Sequence, residues 1–134
     1  MFKQNFDSYA CIGDFISCKV DGIEYRARIE HDIDYGIDDD DGHNPDQSVT
    51  GCDDKQQERL LNARQAWFND EWFYCGVVIS AHKAGVEIEQ YAASLWGIDC
   101  NYPDSNNSYL KDVANELLPD AIDSANSILE LLAA

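Results

Sequence analysis

The sequence predicts an α+β fold: an antiparallel sheet of about four strands in ββαββα order, with two helices packed on one face. Three observations predict it. Residues 71–99 read as two long strands around a short turn at Lys83-Ala84-Gly85. Residues 23–29 alternate apolar and charged side chains directly after Asp21-Gly22, a strong hairpin signal. Two longer segments, residues 53–69 and residue 108 onward, repeat apolar side chains at helical spacing.

The first 13 residues give the weakest pattern. Phe2, Phe6, Tyr9 and Ile12 are spaced roughly helically, which fits a short helix or an arm. Residues 15–20 and 23–29 then form a hairpin. Ile23, Tyr25, Ala27 and Ile29 face the core, and Glu24, Arg26, Arg28 and Glu30 face solvent. Residues 31–50 are a long polar loop, and loops of that length in compact domains are usually functional or disordered. Residues 53–69 follow as a helix. Acids at its start suit the macrodipole, and Leu60, Leu61, Ala63, Trp67 and Phe68 form its apolar stripe.

In the first long strand of the second half, Phe73, Cys75, Val77, Ile79 and Ala81 share one face. Trp72, Tyr74, Gly76, Val78, Ser80 and His82 make a mixed, partly wet one. In the next strand Val86 and Ile88 share one parity, whereas Tyr91, Ala93 and Leu95 take the other. A bulge near Gln90 reconciles them. After a loop at residues 101–107, Asn107 or Ser108 caps a last helix whose apolar face runs from Leu110 to Leu132. Pro119 lies inside that pattern and should kink the helix or begin a second segment.

At 134 residues the chain reads as a single α+β domain, residues 1–134, with an acidic loop at residues 31–52. With 45% hydrophobic residues it can bury a core despite its charge. No apolar run approaches the ~18 residues of a membrane span, and the N-terminus lacks the apolar stretch of a signal peptide. Five cysteines without a C-x-x-C pattern fit reduced thiols in a cytoplasm better than a disulfide framework or a zinc site.

The net charge is −17, and it is unevenly spread. Residues 30–54 carry ten acids and no lysine or arginine. Such a chain does not bind nucleic acid directly, because that needs a cationic surface. Its natural complement is a basic protein or a cation. Two groups of acids stand out as partner-binding candidates. The first is the loop set Asp32, Asp34, Asp38, Asp39, Asp40 and Asp41. The second is a stripe on the last helix, Asp112, Glu116, Asp120 and Asp123, continued by Glu130. The helix spacing sets carboxylates about 5–6 Å apart on one side. That is of the order of the phosphate spacing on a nucleic-acid strand, so a DNA-binding groove could accept it.

Catalytic and metal signals are weak. The G-x-S-x-G, Walker, H-E-x-x-H and G-x-G-x-x-G patterns are all absent, and no catalytic residue or cofactor is assigned. His31 beside Asp32 and Asp34, and His43 after four aspartates, are the nearest approach to acid–base or metal groups. An EF-hand register fails: placing Gly42 at the required glycine puts Ile37 at the first ligand position and Ser48 at the last. A calcium or magnesium site on Asp38 to Asp41 is the remaining cation reading.

The runs DEWFYCGVVIS and ASLWGIDCNYPDSNNSYLKDVANELLPDAI carry the patterns W-x-Y-x-G-V, S-L-W-G-I and Y-L-x-x-V-A-N-E-L. Over residues 70–122 the chain resembles small uncharacterised acidic proteins of phages, prophages and plasmids. The resemblance implies a mobile-element setting, where such genes often encode inhibitors of host defence, including anti-CRISPR and anti-restriction proteins, several of them acidic DNA mimics. It supplies no catalytic residues. The resulting expectation is a non-enzymatic, cytoplasmic inhibitor in a bacterial host, acting by nucleic-acid mimicry on a basic, nucleic-acid-binding surface of a defence complex. Membranes are not a partner. A homodimer through an aromatic sheet face around Trp72 and Tyr74 is a further expectation. The alternatives are a phage or plasmid accessory protein whose acidity serves solubility, and a divalent-cation-binding protein.

Overall fold

The computed structural model describes residues 1–40 and 54–133. Four strands form one antiparallel sheet in sequential order: β1 (Phe15–Val20), β2 (Ile23–His31), β3 (Phe73–Lys83) and β4 (Val86–Cys100). Helix α1 (Asp54–Phe68) lies between β2 and β3 in the chain, and α2 (Ser108–Ala133) follows β4. The α+β class and the ββαββα order are those the sequence predicts.

Turn chemistry sets both hairpins. Asp21 and Gly22 have φ of 52° and 81°, and Ala84 and Gly85 have φ of 51° and 79°. Each pair is a two-residue loop with both residues left-handed, the geometry that matches strand twist. The register follows: Val20 faces Ile23, and Lys83 faces Val86. The bulge expected near Gln90 is present. Ile79 faces Ala93 but Ala81 faces Glu89, so three residues of β4 oppose Ser80. A second irregularity sets Trp96 and Gly97 opposite Gly76, where Gly97 takes a φ of 75°.

One side of the sheet carries the main core. Ile23, Tyr25, Ala27 and Ile29 of β2 and Cys75, Val77, Ile79 and Ala81 of β3 meet Leu110, Ala114, Leu118, Ala121 and Ala125 of α2. Small residues on α2 let the helix lie close to the strands. It continues unbroken through Pro119 rather than starting a second segment there. The N-terminus is an arm, not a helix. Phe2, Phe6 and Ala10 are buried in the same core, while Tyr9 and Ile12 remain exposed.

Asparagines hold the arm down. The Asn115 side chain accepts from Phe2 N–H at 2.7 Å and donates to Phe2 C=O at 3.1 Å. Asn107 does not cap α2 with its side chain, as its position suggests. Its amide is fully buried, donating to the carbonyls of Asp7 and Ser8 and to Asn101 Oδ1, and accepting from Asn101 N–H.

Helix α1 departs from its expected place. Its stripe is mostly uncovered: Ala63 is its buried residue, whereas Leu61 and Phe68 are exposed. Ala66 and Trp67 pack instead on a second cluster of Ile37, Trp72 and Tyr74. Tyr74 points to the opposite side of β3 from Cys75 and Val77, so α1 does not share the surface taken by α2. The reason is space, because α2 and the arm already fill that side. The far side of β3 is also drier than its mixed composition suggests. Val78, Ser80 and His82 are buried, and the Trp96 ring lies over Gly76.

Candidate functional site

The two acidic groups sit in different environments. On α2 the buried positions Leu110, Ala114, Leu118 and Ala121 turn one side of the helix to the sheet. Asp112, Glu116, Asp120 and Asp123 therefore emerge on the solvent side, and all four are exposed. None of them forms an ion pair with another described residue. They form a continuous anionic ridge.

The loop acids, by contrast, are tied into the fold. Asp32 Oδ2 accepts from the Gly97 N–H at 3.0 Å, joining the end of β2 to β4. Asp38 pairs with Arg64 of α1 at 2.5 Å. The Asp39 carboxylate accepts from the Gly36 N–H at 2.8 Å and so closes a 3-10 turn, Ile37–Asp39. Asp40 accepts a hydrogen bond from the Tyr74 hydroxyl at 3.0 Å. Asp34 is exposed, and Asp41 lies outside the described residues. The same 3-10 turn buries Ile37 completely, so this part of the acidic loop is anchored in the second core.

That second core is aromatic. Trp72 donates its indole N–H to the Ala63 carbonyl at 2.8 Å. Tyr74 meets Tyr35 and Trp72 edge-on at 4.7 and 5.0 Å, and Trp72 meets Tyr102 at 4.8 Å. Burial and the hydrogen bond to Asp40 push the Tyr74 hydroxyl pKa well above the ordinary tyrosine range. Trp72 and Tyr74 are each only 1% exposed. They do not form the surface patch expected for dimerisation. The large apolar side chains left exposed on the sheet are instead at its edges, among them Tyr91, Leu95 and Trp96 on β4.

Beside this core opens a cleft of about 520 Å³. Its walls come from the end of β2 and the following turn, from the C-terminal turn of α1, and from the start of β3. Tyr35, Trp67, Phe68, Trp72 and Phe73 line it, together with Asp32 and Asp70. The cleft was not legible as a site in the sequence, where these aromatics read as core. The available signal was local: Trp67-Phe68 and Trp72-Phe73 flank Asn69-Asp70-Glu71, an acidic turn between two aromatic pairs.

The chain matches no protein-family model, no curated protein and no solved structure. Its chemistry must therefore be read from its own side chains.

Among the described residues the histidines do not assemble with acids into a relay. Buried His82 shares a hydrogen bond of 2.9 Å with Ser80, and no carboxylate among the described residues is hydrogen-bonded to its ring. His31 stacks edge-on against Phe73 at 5.5 Å. His43 lies outside the described residues. Among the described residues no three histidine, cysteine or acidic side chains gather in a metal-holding group. Cys75 and Cys100 are buried free thiols in neighbouring strands. A hydrogen bond to Cys100, followed by burial, pushes the Cys75 thiol pKa up, which suits a structural thiol rather than a reactive one at that position. Among the described residues no helix is long and apolar enough to cross a membrane.

Proposed function

We propose that this chain is a non-enzymatic acidic binding protein that occupies a basic, nucleic-acid-binding surface on a partner protein by mimicking nucleic-acid charge. The observation that supports this most directly is the exposed ridge Asp112, Glu116, Asp120 and Asp123. Like charges at four-residue spacing repel by a few tenths of a kcal/mol per pair. A helix that keeps four of them without an ion-pair partner among the described residues invites a cation-rich surface from outside. The net charge of −17 adds long-range steering toward such a surface. On composition alone the loop acids have a slight advantage as the mimic, with ten acids and no lysine or arginine across residues 30–54. Their internal hydrogen bonds now make the helix the better candidate. The resemblance of residues 70–122 to mobile-element proteins supports a host defence complex of a bacterial cytoplasm as the partner.

Competition between this protein and a DNA duplex for a purified defence complex tests the reading. Association should slow and affinity should fall steeply as salt rises. The variant D112N/E116Q/D120N/D123N should stay folded and lose most of the inhibition. Binding that ignores both salt and this variant would refute mimicry by the ridge.

A further inference from the structure

We propose that the aromatic cleft between α1 and the start of β3 is a socket for an arginine side chain of a basic partner protein. This rests on the proposed function and names the anchoring contact within it.

Three features of the cleft select a guanidinium. The first is its lining, where the rings of Trp67, Phe68 and Phe73 gather beside His31, with His31 meeting Phe73 edge-on and Arg64 lying over one side of Phe68. A planar, delocalised cation is attracted to aromatic faces and is weakly hydrated enough to leave water for them. The second is fixed negative charge. Asp32 lines the cleft with its Oδ2 held by the Gly97 N–H, which orients the carboxylate and leaves Oδ1 for a further donor. Asp70, which is exposed, lines the cleft as well.

The third feature is the end of α1. Asp70 N–H bonds to the Trp67 carbonyl and Glu71 N–H to the Ala66 carbonyl, and Asp70 takes a φ of 59°. This is a Schellman terminus with an aspartate at the left-handed position usually given to glycine or asparagine. The last turn carries no basic residue to offset the negative end of the helix dipole. The helix terminus therefore adds to the charge of both carboxylates. The protein also displays the same recognition within itself, just outside the cleft. Arg64 lies over the Phe68 ring at 5.3 Å and pairs with Asp38.

A second copy of this chain is a poor occupant, because two molecules of charge −17 repel. A lysine fits less well, since its compact, strongly hydrated ammonium stacks less readily and cannot fork between carboxylates.

The test is a titration of the isotope-labelled protein with the capped tripeptide Gly-Arg-Gly at 0.15 M salt, followed through the Trp67 and Trp72 indole N–H signals. Saturable shifts confined to the cleft are expected. The citrulline peptide has nearly the same shape without the charge and should leave the signals in place, and the lysine peptide should bind more weakly. Asp70→Asn keeps a side chain that tolerates the left-handed backbone, and Phe68→Ala removes an exposed ring. Each should weaken binding by about fivefold. The ridge variant D112N/E116Q/D120N/D123N should bind the tripeptide unchanged. Equal shifts with citrulline, undiminished binding by both cleft variants, or shifts centred on α2 would each overturn the proposal. If the cleft ignores the tripeptide while the protein still competes with DNA in a salt-dependent way, the socket fails and the proposed function stands. If the tripeptide binds but no competition occurs, the socket stands and the function fails.

Discussion

Asn107 shows how much can rest on one side chain. Its amide meets three oxygen acceptors and one backbone donor from segments up to 100 residues away. Replacing it with alanine leaves those buried groups unmatched, at about 1–3 kcal/mol for each group that cannot rehydrate. Asn107→Ala should therefore lower stability by at least about 2 kcal/mol in urea unfolding and release the N-terminal arm to hydrogen exchange. Gly76 is a second such point. A Cβ there would lie 2.3 Å from a ring carbon of Trp96. Trp96 is half-exposed at the sheet edge, so Gly76→Ala should push the indole outward rather than unfold the strand. A loss of about 1–3 kcal/mol and a red-shifted tryptophan emission are expected.

At the scale of elements, hairpin β3–β4 contains a correctable flaw. Ala84 sits at a φ of 51°, where an alanine Cβ is crowded and asparagine or glycine is at ease. Ala84→Asn should stabilise the protein by about 0.5–1 kcal/mol, read as a melting temperature raised by about 2–5 °C. The four strands, the hairpin turns, the bulge near Gln90 and the apolar face of α2 were all legible in the sequence. Each depends on side-chain period or turn chemistry within a few residues. The place of α1 was not. Its stripe of Leu60, Leu61, Ala63, Trp67 and Phe68 looks adequate in isolation, and only competition with α2 and the N-terminal arm leaves it outside the main core. The ridge on α2 was legible for the same reason as its apolar face, because both follow one helical period. The cleft was not, because its walls come from β2, α1 and β3.

For the molecule as a whole, buried tyrosines predict an upper pH limit. Burial, first of all, raises the hydroxyl pKa values of Tyr74, Tyr109, Tyr25 and Tyr102 above the ordinary tyrosine value of about 10. Hydrogen bonding to Asp40 adds to the effect at Tyr74, and the charge of Asp99 adds to it at Tyr109. The folded state then holds protons that the unfolded chain has already lost. That contribution to stability is complete below about pH 10 and disappears as pH climbs from there toward the folded-state values. The melting temperature should fall progressively above pH 10, and tyrosine absorbance at high pH should show a class of groups that ionise only with unfolding. A full tyrosinate signal at pH 11 with the fold intact would contradict this.

The order of strands and helices, the two hairpin registers and the placing of four acids on one side of α2 follow from the sequence alone, because neighbouring residues decide them. The tertiary structure decided which acids remain available to a partner. Asp32 meets Gly97 across 65 positions, Asp38 meets Arg64 across 26, and Asp40 meets Tyr74 across 34. Within the sequence all of these aspartates are alike. Only the folding together of β2, α1, β3 and β4 ties Asp32, Asp38 and Asp40 into local structure and sets Asp70 in the lining of a cleft. Hydrogen bonds and aromatic contacts are short-ranged, so side chains far apart in sequence acquire such roles only when the fold brings them within a few ångströms.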